Sequence, residues 1–205
     1  MSTALYDTIR KIVQQELARV RTAELAVVQA VHPADPDNYS CTVVLRDSDM
    51  VLKQVPLTTP RKGVAMVPDV GYLVLVQFIG GQINAPVITG SLYNDEDRPP
   101  KNVEKQAVIH LPSDAGDSDA VHIELNTDST KSVVLNITDA VKLTLIDDDP
   151  VVTLDVGGGK ATLSIARDGS IKLESGNALN IKASADIDIE AGGQLNLKGS
   201  VINLN

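Results

Sequence analysis

Ile171-Lys172-Leu173-Glu174, Leu179-Asn180-Ile181-Lys182, Ile187-Asp188-Ile189-Glu190 and Leu195-Asn196-Leu197-Lys198 follow one another at eight-residue intervals. Each unit alternates apolar and polar residues for four positions. Four small or turn-forming residues then intervene, as in Ser175-Gly176-Asn177 and Ala191-Gly192-Gly193. A period of two belongs to a strand with one buried face. Strands repeated at a fixed interval belong to a solenoid or fibre. The C-terminal third of the chain therefore reads as a short, stiff β rod.

Upstream the repeat is looser. Leu135/Ile137 and Leu143/Leu145 are eight apart, Leu154/Val156 to Leu163/Ile165 is nine, and Leu163 to Ile171 is eight again. Ile202/Leu204 follows Leu195/Leu197 by seven. Glu174, Lys182, Glu190 and Lys198 share one outward position and alternate in sign. Stacked as neighbouring rungs they would face opposite charges, at about 0.2–1 kcal/mol per well-placed pair; as isolated residues they are simply solvated.

Two or three inward aliphatic residues per repeat are too few to build a core alone. The turns are too short for a wide single-chain coil, which needs roughly 20 residues or more per turn. Open strand edges would also invite aggregation. Three chains wound together, each completing the others' hydrogen bonding, meet both difficulties. The expected axial residues are Ile171, Leu173, Leu179, Ile181, Ile187, Ile189, Leu195, Leu197, Ile202 and Leu204.

Composition narrows the rest. The chain has 205 residues, room for one or two small domains, and aromatics make up only 2%, so any core is aliphatic. Its net charge is −9. A trimer would carry roughly −27, which argues against nucleic acid or anionic lipid as a partner. Cys41 is the single cysteine, which excludes an intrachain disulfide and suits a reducing compartment. Arg10, Lys11 and Glu16 interrupt the N-terminus, so no signal peptide is expected. No apolar run approaches the roughly 20 residues of a membrane helix.

Residues 1–22 read as an amphipathic helix, with Leu5, Ile9, Ile12, Val13, Leu17 and Val20 on one stripe. That stripe must pack on its own domain, on sister chains or on a larger assembly. From residue 23 to 93 five strands are expected: Leu25–Val31, Cys41–Leu45, Met50–Val55, Tyr72–Ile79 and Val87–Leu92. Five short strands in such a span suit a small barrel. Leu73-Val74-Leu75-Val76 lacks alternation and is expected to be covered on both sides. Pro56, Pro60, Pro68 and Pro86 fall at strand ends, where a missing N–H does no harm. Residues 94–121 form a junction in which Ala107–Leu111 is expected to start the rod, and 122–205 complete it.

The run Pro68-Asp69-Val70-Gly71-Tyr72-Leu73-Val74-Leu75-Val76-Gln77-Phe78-Ile79-Gly80-Gly81 is followed by Pro86-Val87-Ile88-Thr89-Gly90-Ser91-Leu92-Tyr93-Asn94 and Arg98-Pro99-Pro100. This pattern resembles the phage baseplate assembly protein V family. That family includes central spikes of contractile tails and the valine-glycine repeat spikes of type VI secretion. The resemblance implies a mainly β protein, with an oligonucleotide/oligosaccharide-binding (OB) fold at 23–93 and an intertwined trimeric, triple-stranded β-helix needle at 122–205. Its motif positions here are Pro68, Gly71, Phe78, Gly81, Pro86, Gly90 and Tyr93. Gly71, Gly80, Gly81 and Gly90 are expected at turns with positive φ, and Tyr93 at the barrel edge with its hydroxyl at the surface. Tyr72 and Gln82 stand where related sequences often carry an acidic residue.

The resemblance also implies partners: a further copy of the chain twice over, a separate baseplate hub protein, and a target envelope met transiently. Some needles of the family end in an iron-binding His-x-His. Here His32, His110 and His122 are not so arranged, which suggests a separate tip protein of the conical proline-alanine-alanine-arginine repeat (PAAR-like) kind. The implied role is a structural needle of a contractile phage tail or tail-like injector, at the baseplate of a virion tail assembled in the host cytoplasm. Roughly ten rungs at ~4.8 Å would give a needle about 45–50 Å long.

Chemical motifs are weak. Asp147-Asp148-Asp149-Pro150 and Asp35-x-Asp37-Asn38 lack the ligand spacing of a calcium loop and read as turns. Gly157-Gly158-Gly159-Lys160 lacks the rest of a phosphate loop. No nucleophile has a partner base, so the expectation is no enzyme, no cofactor and no metal. The alternative role is a trimeric tail-fibre or adhesin segment binding a receptor or glycan. Sugars normally stack on aromatics, and no aromatic residue follows Tyr93.

Overall fold

The computed structural model describes residues 3–17, 20–32 and 39–203. Asp35, Asp37 and Asn38 of the weighed calcium motif, and Leu204 of the expected axial row, lie outside these residues. The chain divides into two units, Met1–Pro99 and Pro100–Asn205.

In the first unit α1 (Thr3–Leu17) precedes β1 (Ala23–His32), β2 (Ser40–Leu45), β3 (Val51–Pro56), β4 (Leu73–Phe78) and β5 (Pro86–Leu92). The strands form an antiparallel sheet in the order β3-β2-β1-β4-β5. Closure comes from just beyond β3, where Leu57 bridges Ile88 in parallel and the Thr58 N–H donates to the Ile88 carbonyl at 3.0 Å. Bending a five-stranded sheet into a barrel takes irregular pairing. Register shifts fall between Val28 and Ala30 on β1, Cys41 and Val43 on β2, and Leu75 and Val76 on β4.

Alternation places Ala26 and Val28, Cys41 and Val43, and Val74, Val76 and Phe78 inside the barrel with Leu45, Val55 and Ile88. They form its dry core. The loop after β3 is held by the Tyr39 hydroxyl, which donates to the Met66 carbonyl and accepts from the Met66 N–H.

One expectation holds and one is corrected in this unit. Over Leu73–Val76 both faces of β4 are covered, with Leu73, Val74 and Val76 buried and Leu75 half-buried, and exposure returns only at Gln77. Gly90 is not at a turn. It sits inside β5 opposite Leu75, and the next pair is Val76 with Ile88, which leaves Thr89 as an extra residue. A bulge, rather than positive φ, explains a small residue there.

The apolar stripe of α1 is exposed, Leu5, Ile9, Ile12 and Val13 each at about half their full area. Among the described side chains of the stripe, packing on its own domain is not observed.

The second unit is a seven-stranded antiparallel sheet of β6 (Gln106–Leu111), β7 (Val121–Asn126), β8 (Ser132–Ile137), β9 (Val141–Ile146), β10 (Val152–Val156), β11 (Ala161–Ile165) and β12 (Ile171–Ser175). Each strand pairs with its sequence neighbours, making a plain meander. Over residues 106–175, therefore, the hydrogen-bond ladder is completed within one chain. The expectation that three chains complete one another's ladder does not hold there. Short turns suffice because neighbours run antiparallel.

After Ser175 no further strand follows among the described residues, and 176–203 are exposed throughout. The octads from Leu179 onward thus do not form rungs in the single chain. Their alternating runs offer two inward side chains each, where β6–β12 offer three, too little burial to offset backbone ordering. The expected ladder of stacked charges is likewise absent: Glu174 pairs with Lys172 on its own strand at 2.8 Å.

Candidate functional site: an uncovered aliphatic sheet face

Pairing in the meander aligns residues of like parity across all seven strands. The middle row runs Ile109, Ile123, Leu135, Leu143, Leu154, Leu163 and Leu173. One flanking row runs from Ala107 through Leu125, Val133, Leu145 and Val152 to Ile165 and Ile171. The other runs from Leu111 through Val121, Ile137, Val141 and Val156 to Ala161 and Ser175. Ser175 is the only polar residue on this face.

The reverse face carries Gln106, His110, His122, Glu124, Asn136, Lys142, Thr144, Asp155 and Thr162, with Val108, Val134 and Ile146 as its aliphatic exceptions. An antiparallel sheet with one apolar and one polar face normally packs its apolar side on something. Here not one strand residue of the sheet is buried. Contiguous aliphatic surface of this kind marks an interaction site.

The expected axial residues continue the same character. Ile171 and Leu173 lie on the aliphatic face of β12, and Ile171 keeps 69% of its area exposed. Leu179, Ile181, Ile187, Ile189, Leu195, Leu197 and Ile202 are all exposed, Ile181 at 67%. The structure brings Ile171 and Leu173 into the sheet and leaves the other seven outside it.

The barrel motif residues have definite places. Pro68 is buried ahead of the turn into β4. Gly71 has φ +95° and donates its N–H to the Val28 carbonyl at 2.8 Å. Phe78 closes β4 inside the core, and Pro86 opens β5 opposite it. Gly81 has φ +72°, and a Cβ there would stand 2.6 Å from Val20 Cγ1. Its carbonyl accepts from the Arg21 N–H, so only glycine lets the strand lead-in pass. Tyr93 is exposed just beyond β5.

Residues 46–93 match the family described as the type VI secretion system/phage-baseplate injector OB domain. That stretch belongs to the baseplate protein V family. The matched span runs from the β2–β3 turn through the end of β5; it contains Pro68, Gly71, Phe78, Gly81, Pro86, Gly90 and Tyr93, and leaves Asn94 and Arg98-Pro99-Pro100 outside. No curated protein matches the chain.

Other groups weighed from sequence are structural. Asp147 receives the Arg167 guanidinium at 3.0 Å and Asp149 the Arg167 N–H at 2.9 Å, so this acidic run braces two neighbouring turns. Asp155 accepts from the Gly159 N–H in the glycine turn. The Ser170 N–H, donated to Asp168, holds that carboxyl below its usual range. Burial pushes the Cys41 thiol up.

One arrangement was not foreseen. His110 and His122 are direct cross-strand partners, their Nδ1 atoms 3.2 Å apart, with Asp117 of the intervening loop beside them. The signal available in the sequence was weak: two histidines placed symmetrically about the loop 112–120.

Proposed function

We propose that three copies of this chain assemble through their second units into the needle of a contractile phage tail or tail-like injector. The observation that carries this reading is the aliphatic face of the meander, seven strands wide and uncovered, in a chain whose first unit holds a baseplate injector domain. Three such sheets, apolar faces inward, make a three-sided prism with a dry axis. The exposed octads beyond Ser175 then gain what one chain cannot give them: six inward aliphatic residues per layer and neighbours for their edges.

The role is mechanical rather than catalytic. Sheath contraction drives a tube forward, and a closed prism at its head, with no lateral edge free to peel, presses on the target envelope. A hub protein would grip the barrels, and the exposed stripe of α1 is a suitable handle for it. A separate conical tip would cover exposed aliphatic residues such as Ile202. The place of action would be the tail tip of a virion or injection particle.

The deciding experiment is the mass of the purified chain in solution. Three chains per particle across a wide dilution range is the expected result. A stable monomer or dimer overturns the reading. Electron microscopy of intact particles labelled at the barrel would then show whether the trimer sits at the centre of the baseplate.

A further inference from the structure

We propose that His110, His122 and Asp117 form a binding site for one divalent transition ion of the zinc class, clasping the β6–β7 hairpin. The argument begins with the separation of the two ring nitrogens. His110 Nδ1 and His122 Nδ1 stand 3.2 Å apart. Two imidazole ligands at zinc bond lengths and tetrahedral angles have nitrogens about 3.3 Å apart. The hairpin therefore holds both ligand atoms at the spacing one ion requires.

The outer nitrogen of His110 is occupied in the way metal-bound histidines require. His110 Nε2 lies 2.8 Å from the Ala115 carbonyl. A carbonyl oxygen only accepts, so this nitrogen carries the proton and His110 Nδ1 presents a lone pair to His122. His122 Nε2 lies 3.9 Å from Glu124 Oε2, a carboxylate whose other oxygen receives the Gln106 amide at 2.9 Å. Backbone carbonyls and carboxylates behind the ring are the usual devices that orient a ligating imidazole and raise its basicity. His110 has one in hydrogen-bond contact, and His122 has the Glu124 carboxylate nearby at 3.9 Å.

His122 Nδ1 faces that lone pair, and the two nitrogens can be joined either by one N–H···N hydrogen bond or by one cation held between them. Asp117 Oδ1 is 4.0 Å from His110 Nδ1, and the three ligand atoms lie within 4.8 Å of one another. The Asp117 side chain is exposed on the loop and free to close the remaining distance. Two imidazoles and a carboxylate make a donor set that suits zinc, with a fourth position left for water.

Neither ring is open to solvent, His110 least of all, so the site is partly formed before any ion arrives. Strand alternation puts it on the polar face, away from the aliphatic rows. The inference thus stands apart from the proposed assembly. Binding would fasten loop 112–120 to the first hairpin of the sheet.

The test is a calorimetric titration of zinc chloride into the full chain, carrying no histidine tag. The expected result is saturation at one ion per chain with micromolar affinity or tighter. His110→Gln and His122→Gln should each abolish binding, and Asp117→Asn should weaken it by about tenfold or more. Cobalt(II) in place of zinc should give the intense visible bands of a four-coordinate site, lost in His122→Gln. Circular dichroism and particle mass of the variants check that the sheet and its assembly are intact. No zinc uptake by the wild-type chain, or equal uptake by a folded His110→Gln/His122→Gln double variant, overturns the proposal.

Discussion

Both units are antiparallel β, and both are built from valine, leucine and isoleucine, yet they treat those side chains in opposite ways. In the barrel, alternate residues of five strands converge on one another, and Ala26, Cys41, Val43, Leu45, Val55, Val74 and Val76 lose all contact with water. In the meander the same alternation puts all but Val108, Val134 and Ile146 of the strands' aliphatic residues on one side, and none is buried. Closure makes the difference. Register shifts bend the first sheet until β3 meets β5, whereas the second keeps unbroken register through six successive pairings. A sheet in regular register does not cover its own apolar face. The barrel buries its core within one chain; the strip, in the proposed assembly, would bury its face against other copies.

The sharpest way to break this contrast is a charge in the middle row of the strip. Leu143→Asp in that row, or Ile189→Asp in the exposed octads beyond it, would set one carboxylate per chain on the axis of the proposed trimer, at an effective penalty of several kcal/mol for each ion. The expected outcome is loss of the trimer in sedimentation, with the barrel's own unfolding transition retained. A trimer of normal mass and melting temperature in either variant would refute the axial placement. Cavity mutations sharpen the comparison. Leu45→Ala, in the barrel core, should destabilise by about 2–5 kcal/mol at every protein concentration. Leu143→Ala should instead make the melting temperature fall on dilution, because in the proposed trimer its partner surface lies on another chain. Equal concentration dependence in the two variants would erase the distinction between the units.

The barrel was legible because its punctuation is local. Pro56 and Pro86 mark strand ends, Gly71 and Gly81 mark turns, and all five strands fall within two residues of the expected ends. The strip's apolar parity was legible for the same reason, since a period of two is visible in one strand at a time. What the pattern hides is partner identity. Leu135 and Leu143 look the same whether they pair within a chain or across chains, and the meander shows that from Gln106 to Ser175 they pair within one. Gly90 was misread because a bulge depends on two strands' relative register. His110 and His122 were missed for a like reason: eleven residues separate them in sequence, and only hairpin pairing sets them face to face.

Smaller effects probe the barrel's seams. Gly81→Ala combines positive φ with a Cβ that would strike Val20, and Val20 belongs to the lead-in to β1. A cost of about 1–3 kcal/mol is expected, read as a lowered midpoint of the barrel's denaturant unfolding with trimer mass unchanged. Gly90→Ala, with open space at its Cβ and no positive φ, should cost far less. If the two variants prove equally destabilised, crowding at Val20 is not what selects glycine at position 81.

The least disruptive measurement uses the only thiol in the chain. Cys41 is fully buried in the barrel, and burial raises its pKa because a thiolate there would lose hydration without a compensating charge. In the native protein it should react with a thiol reagent only through opening of the barrel, at a rate that leaves the strip's assembly out of account. The pH dependence follows from the direction of the shift. The unfolded chain's thiol ionises first as pH rises, so the unfolded state binds fewer protons than the native state between the two pKa values. Barrel stability therefore declines across that alkaline window and is unaffected by this group below it. Cys41→Ser and Cys41→Ala should both abolish that alkaline decline, and Cys41→Ala should do so with the smaller loss of stability at neutral pH. Labelling as fast in the native protein as in denaturant would mean the barrel is open at β2, and that its closure through Leu57 and Ile88 does not protect its centre.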